Sequence, residues 1–153
     1  MADESTRQLI LEALVTRVSA IDGTPPFQTT AGARVYLYEV PDLGPDDPDQ
    51  AVSILPQDDE VQHQAENVLV HWPIEIRALV KASLANPMLV VEAVVADIKR
   101  GVETADRRLG LPGAVRDRMR RGTTQAFPRE PGTTTVGAGI RYEIPFIEGW
   151  GTP

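Results

Sequence analysis

Hydrophobic residues recur at the three- and four-residue spacing of an amphipathic helix in two segments of the chain. The first segment, Arg7 to Ile21, follows Glu4 and Ser5, either of which can open a helix, and stops before Gly23. The second, Pro87 to Val102, has proline near its first helical position. The predicted buried stripes comprise Ile10, Leu11, Leu14, Val15, Val18 and Ile21 in the first helix and Val91, Val94, Val95, Ile98 and Val102 in the second.

The clearest strand pattern runs from Glu66 to Ala82, where hydrophobic residues occupy alternate positions. A period of two predicts a strand with one buried face and one solvated face. Trp72 belongs to the hydrophobic set and should face the helices, whereas His71 belongs to the polar set. Pro73 has no backbone N–H to donate, so we expect this strand to lie at a sheet edge or to carry a bulge.

Shorter segments complete the prediction of an α+β fold, a mainly antiparallel sheet with two main helices packed on one face and long loops. One domain should span residues 1–153. The last two strands should form a hairpin around Pro131-Gly132, which suits a type II turn. The other predicted strands and the hairpin strands are residues 34–40, 51–56, 123–128 and 136–146. The predicted connections are the loops 24–33, 41–50 and 57–65 and the connector 104–122, with a short basic helix at 114–121.

Composition removes several classes of site. The chain has no cysteine, which excludes a disulfide framework, a thiolate zinc site and a cysteine nucleophile. The N-terminal residues lack the order of a signal peptide, and no apolar run reaches the ~18 residues of a membrane span. We therefore expect a cytoplasmic protein without a membrane partner. A net charge of -7 disfavours dedicated binding of nucleic acid.

Charge is segregated along the sequence. No lysine or arginine lies between Arg34 and Arg77, while residues 99–121 are rich in arginine. The candidate acidic residues are Asp42, Asp46, Asp47, Asp49, Asp58, Asp59 and Glu60, and the candidate basic residues are Arg107, Arg108, Arg116, Arg118, Arg120 and Arg121.

Two surfaces of opposite charge on one subunit predict head-to-tail contacts between copies, which close into a ring when the rotation allows. Complementary charge would fix the register of such contacts. Two separately solvated surfaces are the simpler interpretation. Nucleic-acid binding by the basic segment is a third, but the only ring near it that could stack on a base is Phe127.

A catalytic centre is harder to place. A small metal-dependent hydrolase could be assembled from Asp58, Asp59, Glu60, His63 and His71, but their spacing matches no metal-ligand pattern. The carboxylates gather in loops containing proline and glycine, where water keeps them ordinary. No serine has the surroundings of a nucleophile elbow. We predict no enzymatic activity, no cofactor and no metal.

The residue order resembles the tail terminator family of long-tailed bacteriophages, also called minor tail protein U or tail completion proteins. The resemblance covers the opening helix, the region Val35 to Pro56, the long strand, the second helix and the closing strand Val136 to Ile147. Its most suggestive part is the ending Arg141-Tyr-Glu-Ile-Pro-Phe-Ile-Glu-Gly-Trp-Gly-Thr-Pro. Other head–tail joining and tail-completion proteins share much of this layout.

The resemblance implies a structural virion protein that forms a hexameric ring on the finished tail tube. Such a ring ends polymerisation of the tube protein and meets the head connector. DNA would pass through the ring without specific binding, and an acidic lumen would let it slide. The loops 41–50 and 57–66 are the candidates for the lumen or the subunit contact, and the connector 107–121 for the opposite face of the neighbour. Another neck, connector or tail-tube protein is the alternative, and none of these roles brings catalytic residues.

Overall fold

The computed structural model describes residues 4–104 and 106–152. These residues form two α-helices and one six-stranded sheet, which confirms the predicted α+β class. The elements are α1 (Thr6–Ser19), β1 (Val35–Leu37), β2 (Gln50–Pro56), β3 (Glu60–His63), β4 (Asn67–Lys81), α2 (Pro87–Glu103), β5 (Arg120–Phe127) and β6 (Thr135–Gly149). None of the helices in the described part of the chain has the length and apolarity needed to cross a membrane.

Local sequence explains where both helices begin. At α1 the Ser5 hydroxyl accepts from the backbone N–H of Gln8 at 3.2 Å, and the Gln8 side chain accepts from the Ser5 N–H at 2.8 Å. This reciprocal capping box satisfies two otherwise unpaired donors of the first turn. At α2 Asn86 has a left-handed backbone, with φ of 51°, and Pro87 occupies the first turn.

The sheet runs in the order β1-β2-β4-β6-β5, and β3 pairs with β4 beyond the end of β2. All of its pairs are antiparallel except β1 with β2. Strand β4 is therefore central and pairs with β6 through Pro73 without a register shift, so neither the predicted edge position nor the alternative bulge in β4 is found. The position of Pro73 explains why the sheet tolerates it. The carbonyl of Pro73 accepts from the N–H of Gln57 at 2.9 Å, just past the end of β2. The missing donor of Pro73 falls on that same side, where β2 has ended and β3 has not begun.

Strands β5 and β6 are longer than the sequence predicts, and three other segments differ in the element that they form. The loop predicted at 57–65 contains β3, whose four residues are all exposed and therefore carry no hydrophobic alternation. The segment 114–121 is not helical, because the N–H of Arg116 donates to the carbonyl of Pro145 and Arg120 already belongs to β5. The first strand ends at Leu37, since Tyr38 has a φ of 63° and turns the chain away.

The core lies between the helices and one face of the sheet, as predicted. Even-numbered residues of β4, from Val70 to Val80, pack with the buried stripes of both helices. Trp72 is 2% exposed and meets Phe146 edge-on, with ring centroids 5.9 Å apart, which confirms the predicted register. On the opposite face a smaller cluster joins Leu43, Ala51 and Leu79.

The C-terminal hairpin is confirmed, with β5 and β6 antiparallel. Its turn has the type II pattern, because the N–H of Thr133 donates to the carbonyl of Glu130 and Gly132 has a φ of 83°. A Cβ at Gly137 would lie 2.3 Å from the carbonyl oxygen of Ala78, so this glycine permits the close approach of β4 and β6.

Candidate assembly surfaces

The acidic loop, residues 41–50, crosses the face of the sheet that the helices leave uncovered. Leu43 is buried at its centre, and its N–H donates to the Thr135 hydroxyl at 2.7 Å. The Thr134 hydroxyl donates to the carbonyl of Leu43 at 2.8 Å, and the Lys81 ammonium donates to the carbonyl of Asp47 at 2.5 Å. These contacts fasten the loop to the beginning of β6 and the end of β4.

Several carboxylates of this loop are engaged within the subunit. Hydrogen bonds from Thr135 and Thr134 hold the pKa of Asp42 below its usual range. Asp47 accepts from the N–H of Gly44 at 2.8 Å, and Lys81 lies 3.6 Å from Asp49. Some carboxylates of the loop therefore take part in contacts within the subunit, although Asp42, Asp46 and Asp49 are exposed.

The acidic turn, Asp58, Asp59 and Glu60, joins β2 to β3 at one edge of the sheet. Asp58 and Glu60 are exposed, while Asp59 forms an ion pair with Arg7. The Arg7 guanidinium also lies 4.7 Å from the centre of the Trp72 ring. Two of the three carboxylates are thus available to a partner, and Asp59 ties the turn to α1.

The arginine connector, residues 107–121, lies at the other edge of the sheet. Its backbone is anchored by buried Val115 and Met119, and the N–H of Met119 donates to the carbonyl of Arg107 at 2.9 Å. The arginine side chains remain outside because the anchors occupy the interior positions. The exposed basic residues of the connector are Arg107, Arg116, Arg118, Arg120 and Arg121, and Arg108 is half-buried.

The arginines differ in how far they are neutralised. Arg121 lies 3.4 Å from Glu103, and Arg120 lies 3.6 Å from the exposed Asp117. Within residues 4–104 and 106–152, Arg107 and Arg118 make no ion pair. Together with Asp117 and Glu103 these four arginines line an open recess of about 500 Å³. Excess positive charge is therefore concentrated where β5 begins.

Buried Tyr142 forms part of the lining of this recess. Its hydroxyl donates to the Glu103 carboxylate at 2.9 Å, and burial together with this bond raises the pKa of Tyr142 well above its usual range. The contact fixes Glu103, which in turn holds Arg121. Arg121 is therefore a structural member of the arginine connector, whereas Arg118 and Arg120 extend outward.

The pairing register places the two charged sites at the same height of the sheet, meaning the same position along the strand axis. One row of backbone partners joins Glu60, His71, Pro145 and Arg116. The adjacent row joins Gln57, Pro73, Glu143 and Arg120. Three strand spacings of about 4.8 Å separate the ends of such a row by about 14 Å. This exceeds the Debye length of about 8 Å at physiological salt, so the two sites do not neutralise each other within one subunit.

The proposed metal ligands do not converge. His71 lies 3.2 Å from Glu143, and the ring of His63 stacks on Trp150 with centroids 5.5 Å apart. Across residues 4–104 and 106–152 no group of three or more histidine or carboxylate residues has the geometry of a metal site. Glu60 and His71 are paired across β3 and β4, but the His71 ring contacts Glu143 and the His63 ring contacts Trp150.

Sequence reasoning named the charged residues of both candidate surfaces but missed two features of the backbone beside them. The first is strand β3, and the second is the pair of sheet edges at β1 and β5. Leu37 of β1 is 42% exposed, and every residue of β5 except Phe127 is exposed. The exposed residues of β3 carry no hydrophobic alternation, and although the sequence predicts strands at 34–40 and 123–128, their positions at the sheet edges depend on pairing between distant segments.

Comparison with known proteins adds no family assignment. No protein-family model matches the chain, and no curated protein matches it.

Proposed function

We propose that the chain is a non-enzymatic structural subunit that assembles head-to-tail into a ring and acts as a tail terminator of a long-tailed bacteriophage. The observation that carries the proposal is the placement of the acidic turn and the arginine connector at opposite ends of the same rows of the sheet. A surface that is complementary to a different surface of the same subunit makes heterologous contacts, which generate a ring when the rotation between subunits closes.

Electrostatics supports this arrangement over two unrelated solvated patches. The backbones of the acidic turn and of the arginine connector are about 14 Å apart across one subunit, so their exposed carboxylates and guanidinium groups would meet only in an assembly. Each exposed ion pair contributes about 0.2–1 kcal/mol, so charge sets the register and the encounter rate while other contacts supply most of the affinity.

The resemblance of the sequence to tail terminators supplies the place of the ring in the particle. The ring would cap the tail tube, end its polymerisation and meet the head connector, in a virion assembled in bacterial cytoplasm. Asp42, Asp46 and Asp49 are exposed on the sheet face opposite the helices and would repel DNA phosphates if that face lined the channel. A different neck, connector or tail-tube protein would use the same ring and differ only in its neighbours.

Charge-reversal variants test the ring. We expect wild-type protein to form a closed oligomer by light scattering and native mass spectrometry. Arg118→Glu/Arg120→Glu should raise its dissociation constant at least tenfold, which corresponds to about 1.4 kcal/mol. Adding Asp58→Arg/Glu60→Arg to that variant should restore assembly. Arg121 stays unchanged because Glu103 holds it within the subunit.

The matched control is Arg129→Glu, which reverses an exposed arginine in the turn of the C-terminal hairpin. It should leave assembly unchanged, and the circular dichroism of all variants should match wild type. A monomer at every concentration would refute the ring. A ring that is indifferent to Arg118→Glu/Arg120→Glu would show that these arginines lie outside the interface.

A second experiment tests the place of the ring in the particle. Purified ring should be added to polymerising tail-tube protein and the tube lengths measured by electron microscopy. We expect tubes that stop growing and carry a ring at one end. Rings that form normally and leave tube length unchanged would favour another neck position.

A further inference from the structure

The strand order β1-β2-β4-β6-β5 ends in two strands with a free side, and β3, which among the described residues pairs only with β4, has a free side of its own. Among residues 4–104 and 106–152 no strand pairs with the outer side of β1 or with the outer side of β5. An edge strand presents unpaired N–H and C=O groups and is a template for another strand unless proline, lysine or a cover blocks it. Residues 123–127 of β5 contain no proline and no charged residue, and they are exposed apart from Phe127. This edge is therefore open to pairing.

The two free edges lie at the same height. Each can be followed across the sheet through the pairing register, one strand at a time. The first row joins Leu37, Ile54, Ile76, Ile140 and Thr124, and the second joins Val35, Val52, Ala78, Ala138 and Ala126. Strands β1 and β5 are thus the two ends of the same rows, and their chain directions are opposite.

The residues whose backbone N–H and C=O groups point outward also match at the two edges. In β1 the carbonyl of Arg34 and the N–H of Tyr38 bond to β2, so the alternation of a strand turns Val35 and Leu37 outward. In β6 the carbonyl of Pro145 faces the β5 side, where it accepts from Arg116. The backbone N–H and C=O groups of the odd residues of β6 therefore point toward β5. The β5 residues that lie opposite even residues of β6 point their own N–H and C=O groups away from β6, toward solvent. These outward residues of β5 are Thr124 and Ala126.

We propose that β5 of one copy pairs antiparallel with β1 of the next, so that the sheet continues across the subunit boundary. Leu37 lies opposite Thr124 and Val35 opposite Ala126, and each pair exchanges two backbone hydrogen bonds. This inference rests on the proposed ring and names the contact that closes it. A rotation about an axis along the strands preserves chain direction, so it brings the oppositely directed β1 and β5 together as an antiparallel pair.

The same docking accounts for two other features of the surface. It brings the acidic turn of one copy to about two strand spacings, about 10 Å in backbone distance, from Arg116 and Arg120 of the next, a gap that extended arginine side chains can span. It also places the uncovered edge of β5 beside an apolar recess between α1 and β1, lined in part by Leu11, Val15 and Leu37. Charge, apolar surface and unpaired backbone thus complement one another in a single register.

Disulfide trapping tests the register directly, because the chain contains no cysteine. Antiparallel partners that exchange hydrogen bonds have Cα atoms about 5.5 Å apart, within the reach of a disulfide. Under mild oxidation, Leu37→Cys/Thr124→Cys should give a ladder of covalent oligomers on denaturing gels, extending to the closed ring. The matched control Leu37→Cys/Gln125→Cys should give less than a tenth of that product, because Gln125 points to the other face.

A proline substitution supplies a second measurement. Ala126→Pro removes an outward N–H, so the subunit should keep its fold and lose ring formation by light scattering, whereas Ala126→Ser should assemble like wild type. Suppose that the wild-type protein forms a ring. If Leu37→Cys/Thr124→Cys then gives no covalent oligomers, or if Ala126→Pro still forms a ring, the strand pairing would be overturned and the proposed ring would stand. Wild-type protein that stays monomeric at every concentration would overturn both.

Discussion

Replacement of Trp72 by alanine tests the packing that supports the acidic turn. The indole is 2% exposed, lies edge-on to Phe146 and has the Arg7 guanidinium over its ring at 4.7 Å. Its Nε1–H donates to the carbonyl of Gln57 at 3.0 Å, at the start of the acidic turn. The side chain therefore links the core to the edge that is proposed to dock.

The expected cost follows from these contacts. Truncation of a buried tryptophan to alanine costs about 3–5 kcal/mol through lost transfer energy and the cavity left behind. The aromatic pair with Phe146 contributes about 0.5–1.5 kcal/mol beyond burial, and the carbonyl of Gln57 can turn to water at little cost since Gln57 is exposed. We therefore expect about 4 kcal/mol for Trp72→Ala. With a urea m-value of about 2 kcal/mol per M, the midpoint should fall by about 2 M.

Urea unfolding followed by far-ultraviolet circular dichroism measures this shift independently of the fluorescence that the substitution removes. Trp150→Ala is the matched control, because that indole is 62% exposed and stacks only on His63 among the described residues. It should cost less than about 1 kcal/mol, the usual range for a surface substitution. If Trp72→Ala cost no more than Trp150→Ala, the assignment of the even-numbered residues of β4 to the core would be refuted.

Two further substitutions probe how the sheet and the helices are held together. Gly137→Ala should destabilise by more than 1 kcal/mol, because its Cβ would lie 2.3 Å from the Ala78 oxygen, whereas Gly113→Ala, with open space around it, should be nearly neutral in the same urea titration. Asp97→Ala should cost about 3–5 kcal/mol, because this fully buried carboxylate accepts backbone N–H groups from the loop before β1 and lies 2.6 Å from Arg100. Thermal unfolding that leaves the Asp97→Ala midpoint unchanged would contradict that role.

Much of the candidate surface could be predicted from the sequence, because charged residues can be located in the sequence without knowledge of the fold. The absence of any lysine or arginine between Arg34 and Arg77 and the arginine-rich segment that follows α2 predicted both candidate surfaces. Their relation was not accessible. Arg121 proved to be held by Glu103 and Asp59 by Arg7, and which residue neutralises which depends on side chains brought together from distant parts of the chain.

Periodicity by itself determined the two helices, the buried face of β4 and the C-terminal hairpin, because a repeating hydrophobic pattern records which side of an element meets the core. It could not determine the neighbours of a strand. The central position of β4 despite Pro73, the pairing of the wholly exposed β3, and the common height of β1 and β5 follow from hydrogen bonds between segments far apart in the chain. Only the tertiary structure decided these, because backbone pairing uses groups that nearly every residue carries and leaves no mark in the order of side chains.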